Sequence, residues 1–217
     1  MEPDLDRRYM TRAEAEAAEI DVGLRRYMLQ VYNYMASGLA LTGIVAYVVA
    51  NTPALFNAIY GTPLMWVVFL APLGFIFFLS AKMRTMSFAT AQTVFWLFAG
   101  VMGLSLASIF VVYTQTSIAR VFFITAGMFG AMSLYGYTTK KDLSGWGSLL
   151  FMGLFGIIIA MVVNIFLQSS ALQFAISVIG VIVFTGLTAY DTQKIKEIYL
   201  VSDSEAVQGK KAIMGAV

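Results

Sequence analysis

Asp191 is the acidic residue of this sequence best placed for chemistry inside a helical bundle. It closes a long apolar run, within the segment TAYDTQKI at residues 188–195. Between residues 27 and 190 the only other carboxylate is Asp142, which lies in a polar stretch. An ionisable group at membrane depth is costly unless it is paired or hydrated, so Asp191 is a candidate functional group.

Helical spacing places two polar neighbours beside Asp191. Thr188 comes one turn earlier and suits either a polar ion path or a hydrogen bond between helices. Lys194 comes three residues later, so a local ion pair at the membrane interface is an equally open interpretation of Asp191. Lys82 and Arg84 are further candidate cationic partners, although a loop on the basic side of a membrane protein carries such residues without any functional role.

The composition excludes several classes of chemistry. The sequence has no cysteine and no histidine, so thiolate nucleophiles, disulfides and the commonest metal ligand and general base are missing. An intramembrane serine protease would lack its usual base, and an aspartyl protease would lack its second membrane aspartate. The net charge of +2, without a long basic run, argues against a nucleic-acid partner. We therefore predict no enzyme, no metal site and no cofactor.

Six apolar segments must position these residues. The chain is 59% hydrophobic and only 12% charged, and each segment approaches the roughly 20 residues that cross a bilayer as a helix. The predicted spans are 27–50, 63–80, 87–113, 118–137, 146–168 and 171–190. Because only helices and closed barrels satisfy the backbone in lipid, and barrel-type alternation is absent, the sequence predicts an all-α, polytopic membrane bundle.

Basic residues predict the orientation of the bundle. They cluster before the first span and after the second, fourth and sixth, at Arg25 and Arg26, Lys82 and Arg84, Lys140 and Lys141, and Lys194 and Lys196. All four clusters fall on one side, and cytoplasmic loops are the ones that retain Lys and Arg. We therefore expect a cytoplasmic N-terminus.

Small residues at helical spacing predict where helices approach closely. The pairs are Gly38 with Thr42, Ala99 with Gly103, and Ala126 with Gly130. They predict a packed bundle, with scattered buried hydroxyl and amide groups acting as hydrogen bonds between helices.

One segment resembles the signature of a known family. The run GVIVFTGLTAYDTQKI at residues 180–195 is similar to the signature of the Bax inhibitor-1, or transmembrane Bax inhibitor motif, family. Further similarities are RYM at 26–28, VYNYM at 31–35 and KKDLS at 140–144. The resemblance extends from about residue 25 to the last residue and is strongest to bacterial members.

This resemblance implies a bundle of seven helices around a closed central helix, which leaks calcium down its gradient and is gated by protonation of two aspartates. One of them matches Asp191. The second lies in the family's seventh helix, whereas this sequence ends at residue 217 in what resembles the start of that helix. The expected organisation is a cytoplasmic polar tail at 1–26, a bundle at 27–199, and a cytoplasmic segment at 200–217 that leads into a missing seventh helix.

Two functions follow from the resemblance. The first is a pH-sensitive calcium leak channel, with calcium as the permeating ion, in the inner (plasma) membrane of a bacterium. The alternative is a non-transporting regulator of a membrane protease or stress response, whose polar tail, residues 1–26, would bind the partner. The lipid bilayer is the expected environment in both cases.

Overall fold

A computed structural model describes the backbone of residues 12–217 and the side chains of residues 22–217. Over this range the chain forms eight helices and no strand. The helices are α1 (Arg12–Ala50), α2 (Pro53–Tyr60), α3 (Leu64–Lys82), α4 (Phe88–Val112), α5 (Gln115–Thr138), α6 (Ser144–Leu167), α7 (Ser170–Glu197) and α8 (Glu205–Ala216).

Six of these helices are long and apolar enough to cross a membrane. The spans are Val22–Ala50, Leu64–Lys82, Phe88–Val112, Gln115–Thr138, Ser144–Leu167 and Ser170–Glu197. Large apolar side chains on them are exposed, as at Phe166, which is 82% exposed. Such a surface requires lipid as its solvent. The predicted all-α bundle with six spans is confirmed, with boundaries that agree within a few residues except at the N-terminal end of α1 and the C-terminal end of α7.

The start of the first span and the connection after it differ most from the sequence-based segments. Helix α1 begins at Arg12, so the second half of the predicted polar tail continues directly into the membrane helix, while residues 1–11 lie outside the described part of the chain. The predicted connection after the first span contains a short helix, α2. Pro53 occupies its first turn, where the missing N–H of proline costs nothing.

The chain divides into two compact units, the first formed by α1–α4 with residues 199–217. Within it, α1 and α4 approach closely at the predicted small residues. The Thr42 hydroxyl donates to the Ala99 carbonyl at 2.8 Å, and a Cβ on Gly103 would lie 2.6 Å from the Thr42 carbonyl oxygen. Two of the three predicted pairs are therefore confirmed as helix contacts. The Ser105 hydroxyl, which donates to the Val68 carbonyl at 2.6 Å, joins α3 to α4 as predicted for buried hydroxyls.

Helix α8 also belongs to the first unit. It packs along α1 and buries Ile213 in a core with Leu79 and Phe95. The Lys210 ammonium donates to the Met86 carbonyl at 3.2 Å, which ties α8 to the α3–α4 turn. Residues 205–216, predicted as the approach to a seventh helix, thus form a docked helix of their own.

The second unit consists of α5, α6 and α7, with α7 packed against both of the others. Helices α5 and α7 approach closely at Gly136, whose α-carbon faces the Ala189 carbonyl and Thr192. The predicted contact at Ala126 and Gly130 is wrong within this unit, because a Cβ on Gly130 would meet no atom within 4 Å. The spacing of small residues shows that helices can approach, but not which face has a partner.

Candidate functional site on helix α7

A groove between α5 and α7 contains the predicted ion-path residue Thr188. Its volume is about 320 Å³, and it is lined by Thr125, Met128, Phe129, Val181, Phe184, Thr185 and Thr188. The three threonines bring oxygen atoms to an otherwise apolar wall. Thr185, Thr188 and Asp191 follow one another at intervals of three residues, so they form a stripe along α7.

The threonine hydroxyls of α7 use their hydrogens within the helix. Thr185 donates to the Val181 carbonyl at 2.6 Å, and Thr188 donates to the Phe184 carbonyl at 2.8 Å. A hydroxyl has one hydrogen and two acceptor lone pairs. Each of these oxygens therefore offers only acceptor sites to whatever occupies the groove, which favours a cation over an anion.

Asp191 lies one turn beyond Thr188 and is exposed. Among residues 22–217 it forms no ion pair, because Lys194 pairs instead with Glu197, at 2.8 Å between Nζ and Oε2. The Lys194 ammonium also donates to the Ser144 hydroxyl at 3.0 Å. The local Asp191–Lys194 pair that the spacing allowed is thus replaced by a pair one turn further on.

Thr192, next to Asp191, holds α7 against α5. Its hydroxyl donates to the Thr188 carbonyl at 2.8 Å and lies within hydrogen-bonding distance, 3.3 Å, of the Ser133 hydroxyl. Both residues are buried. This contact adjoins the close approach at Gly136, so the position of the Asp191 turn relative to α5 depends on the absence of a side chain there.

Gln193 fixes the end of α7 to the connection between α5 and α6, and sequence reasoning missed it. Its side-chain oxygen accepts from the Leu143 N–H, and its amide nitrogen donates to the Lys141 carbonyl, both at 2.8 Å. Gln193 is only 5% exposed. An amide next to charged residues at a helix end resembles an ordinary interface residue, so the sequence contains little signal for this role.

Replacing Gln193 with leucine should lower the free energy of unfolding by about 3 kcal/mol. The substitution introduces an apolar side chain of similar size but leaves the buried Leu143 N–H and the partly buried Lys141 C=O without partners, at ~1–3 kcal/mol each. Thermal unfolding in detergent measures the effect, with Gln173→Leu as a matched control because Gln173 is exposed on the same helix. Equal stability of the two variants would contradict the role of Gln193 in fixing the end of α7.

The remaining predicted residues lie at the ends of helices. Lys82 is the last residue of α3, and the backbone carbonyl of Arg84 accepts from Lys210 at 3.5 Å, both in the first unit. Their predicted role as cationic partners of Asp191 stays a prediction. Asp142 precedes α6 and accepts from the Ser144 N–H at 2.8 Å. Hydrogen bonds from the Ser144 backbone and hydroxyl hold the pKa of Asp142 below its ordinary value.

The side chains described in the structure bring together no group of three or more His, Cys, Asp and Glu residues that could hold a metal ion. What α7 offers instead is a row of neutral acceptor oxygens ending in one unpaired carboxylate. Six apolar helices with such a stripe define a multi-pass α-helical membrane protein.

Comparison with known proteins identifies the family. The family described as "Inhibitor of apoptosis-promoting Bax1" matches residues 24–217. The inner membrane protein YbhL of Escherichia coli is 48% identical over 198 residues, covering 90% of this chain and 85% of YbhL. An uncharacterized protein of Rickettsia prowazekii is 48% identical over 196 residues, covering 90% of this chain and 83% of the relative. The chain therefore belongs to the Bax inhibitor-1 family, as its α7 signature predicted.

Proposed function

We propose that this protein lets calcium ions leak down their gradient across the membrane, and that protonation of Asp191 controls the leak. The observation that carries the proposal is the oxygen stripe of α7. Thr185 and Thr188 turn acceptor lone pairs into the groove, and the unpaired Asp191 carboxylate lies one turn further along.

Calcium suits this stripe because it is a hard cation that prefers oxygen ligands. A tightly held calcium ion takes 6–8 oxygens, several of them from carboxylates. One carboxylate with a few hydroxyls attracts the ion but releases it again, as conduction requires. This weak coordination favours permeation of calcium over tight binding.

Protonation supplies the control. An ionised Asp191 adds a negative charge next to the stripe and attracts cations, whereas the neutral acid does not. The change in charge also alters the cost of holding this turn of α7 in an apolar environment. Both effects make flux depend on pH through one residue and require no second carboxylate.

The proposed location is the inner (plasma) membrane, with the N-terminus in the cytoplasm. YbhL, at 48% identity, is an inner membrane protein, and the basic clusters follow the positive-inside rule. Within the second unit the clusters at 140–141 and 194–196 share one end, because Gln193 bonds to Lys141. Within the first unit the Tyr27 ring lies 5.5 Å from the Tyr199 ring. This contact places residue 199 at the same end of the unit as the basic pair at 25–26.

Calcium efflux from proteoliposomes tests the proposal. Vesicles loaded with calcium and a fluorescent indicator should lose calcium when they contain the purified protein and retain it when they contain none, with a rate that changes between acidic and neutral pH. Absence of protein-dependent efflux at every pH would overturn the channel proposal and favour the non-transporting regulator.

A further inference from the structure

A second groove of the α5–α7 unit lies where an amphiphile would meet the helix ends. It has a volume of about 430 Å³ and is formed by α5, α6 and α7. Its lining residues are Met132, Tyr135, Lys141, Asp142, Leu143, Trp146, Leu150, Ile182, Gly186, Ala189 and Tyr190. This volume is within the range of ligand-binding pockets, roughly 300–1,000 Å³.

The groove changes from polar to apolar along its length. Lys141 and Asp142, in the connection between α5 and α6, form one end, whereas Leu150 and Ile182 lie further into the spans. On α7 the distance from Tyr190 to Ile182 is eight residues, or about 12 Å at a rise of 1.5 Å per residue. A ligand that fills this groove must therefore have a charged head and an apolar tail.

Aromatic side chains mark the boundary between these two parts. Trp146, which is 62% exposed, and Tyr135 stand near the polar end. Trp and Tyr favour the headgroup level of a bilayer, because their rings are apolar with one polar atom. The polar end of the groove is therefore at headgroup depth, and its apolar part is at the depth of the acyl chains.

The two charges at the polar end are both available to a ligand. Lys141 and Asp142 form no ion pair with each other or with any other described residue, and the Lys141 ammonium makes no hydrogen bond within residues 22–217. Asp142 accepts from the backbone N–H and the hydroxyl of Ser144, and a carboxylate has further acceptor sites. Adjacent unpaired charges of opposite sign match a headgroup that itself carries both signs.

We propose that this groove binds a zwitterionic phospholipid with a primary ammonium, a phosphatidylethanolamine, with its phosphate on Lys141, its ammonium on Asp142 and one acyl chain along Ile182 and Gly186. A primary ammonium donates hydrogen bonds to a carboxylate, whereas a choline cannot.

Native mass spectrometry of the purified protein with equal amounts of phosphatidylethanolamine, phosphatidylcholine and phosphatidylglycerol tests this site. We expect retention of the ethanolamine lipid by up to about fivefold over the other two, the range of an exposed charge pair. Asp142→Asn keeps an acceptor but should remove the preference over choline. Lys141→Gln should weaken all three lipids, while Lys140→Gln, its exposed neighbour outside the groove lining, should change none.

Ile182→Trp provides an independent test of lipid binding in this groove. Ile182 is 64% exposed, so a larger ring can fill the groove without repacking the helices. It should reduce lipid retention while leaving thermal stability in detergent unchanged. Equal retention of the three lipids by the wild type, stronger retention of choline or glycerol lipid, or equal effects of Lys140→Gln and Lys141→Gln would each overturn the proposal.

Discussion

Asp191→Asn should remove the pH response of calcium efflux. Asparagine keeps the shape and hydrogen-bonding capacity of aspartic acid but carries no charge at any pH. If protonation of Asp191 shifts the balance of closed and conducting states by about 1.4 kcal/mol, the wild-type rate changes roughly tenfold across the titration. The variant should show a single rate from acidic to neutral pH in the same proteoliposomes.

Asp142→Asn is the matched control for this experiment. Ser144 holds the pKa of Asp142 below its ordinary value, which is about 3.9. A lowered pKa in the folded state stabilises the fold above the unfolded pKa, and this stabilisation is lost only as the pH falls through the folded pKa. Because its pKa is lowered, Asp142 stays ionised throughout the range above the ordinary pKa of an aspartate, and its variant should keep the wild-type pH response. Loss of the response in Asp142→Asn, or its persistence in Asp191→Asn, would show that another group titrates.

A Thr188→Val variant separates the ion path from the pH sensor. Valine has nearly the same shape as threonine but no oxygen, so the groove loses one acceptor while Asp191 is unchanged. We expect a lower efflux rate at every pH and an unaltered midpoint of the pH response. A shifted midpoint with an unchanged rate would place Thr188 in the sensor instead.

Asp191 could be found from sequence because carboxylates are rare in membrane-spanning segments. Carboxylates are absent from most of the apolar region, so one at the end of a span is conspicuous without knowledge of the fold. Gln193 and Gly136 carry no such signal. Their importance depends on what lies opposite them, a pair of backbone groups at 141 and 143 and the carbonyl of Ala189, and those neighbours are distant in sequence.

The two short helices show another limit of sequence reasoning. Hydropathy finds segments that cross a bilayer, but α2 and α8 have only 8 and 12 residues. Pro53 after Thr52, and Glu205 after Ser204, are recognisable helix starts. What the local signals could not give is the packing of α8, because burial of Ile213 against Leu79 depends on three-dimensional contacts.

The close approach at Gly136 affects both the stability of the fold and the geometry of the proposed ion path. Because no side chain separates α5 from the Ala189 carbonyl, the hydroxyls of Ser133 and Thr192 come within 3.3 Å of each other, one residue from Asp191. The groove that contains Thr185 and Thr188 is lined by the same two helices. Any change that moves α5 away from α7 at this point should therefore alter both the fold and the geometry of the oxygen stripe.

Gly136→Ala should consequently lower the free energy of unfolding by about 2 kcal/mol and reduce efflux at every pH. The added methyl group would press against the Ala189 carbonyl, a backbone group that cannot rotate away, and would lie 3.0 Å from the Thr192 Cβ. Overpacking of this kind costs ~1–3 kcal/mol. Gly130→Ala, on the same helix, is the control, because its methyl group meets no atom within 4 Å and alanine favours helix by ~1 kcal/mol. Thermal unfolding in detergent and calcium efflux should thus separate the two variants, and equal behaviour would mean that the α5–α7 contact does not position the site.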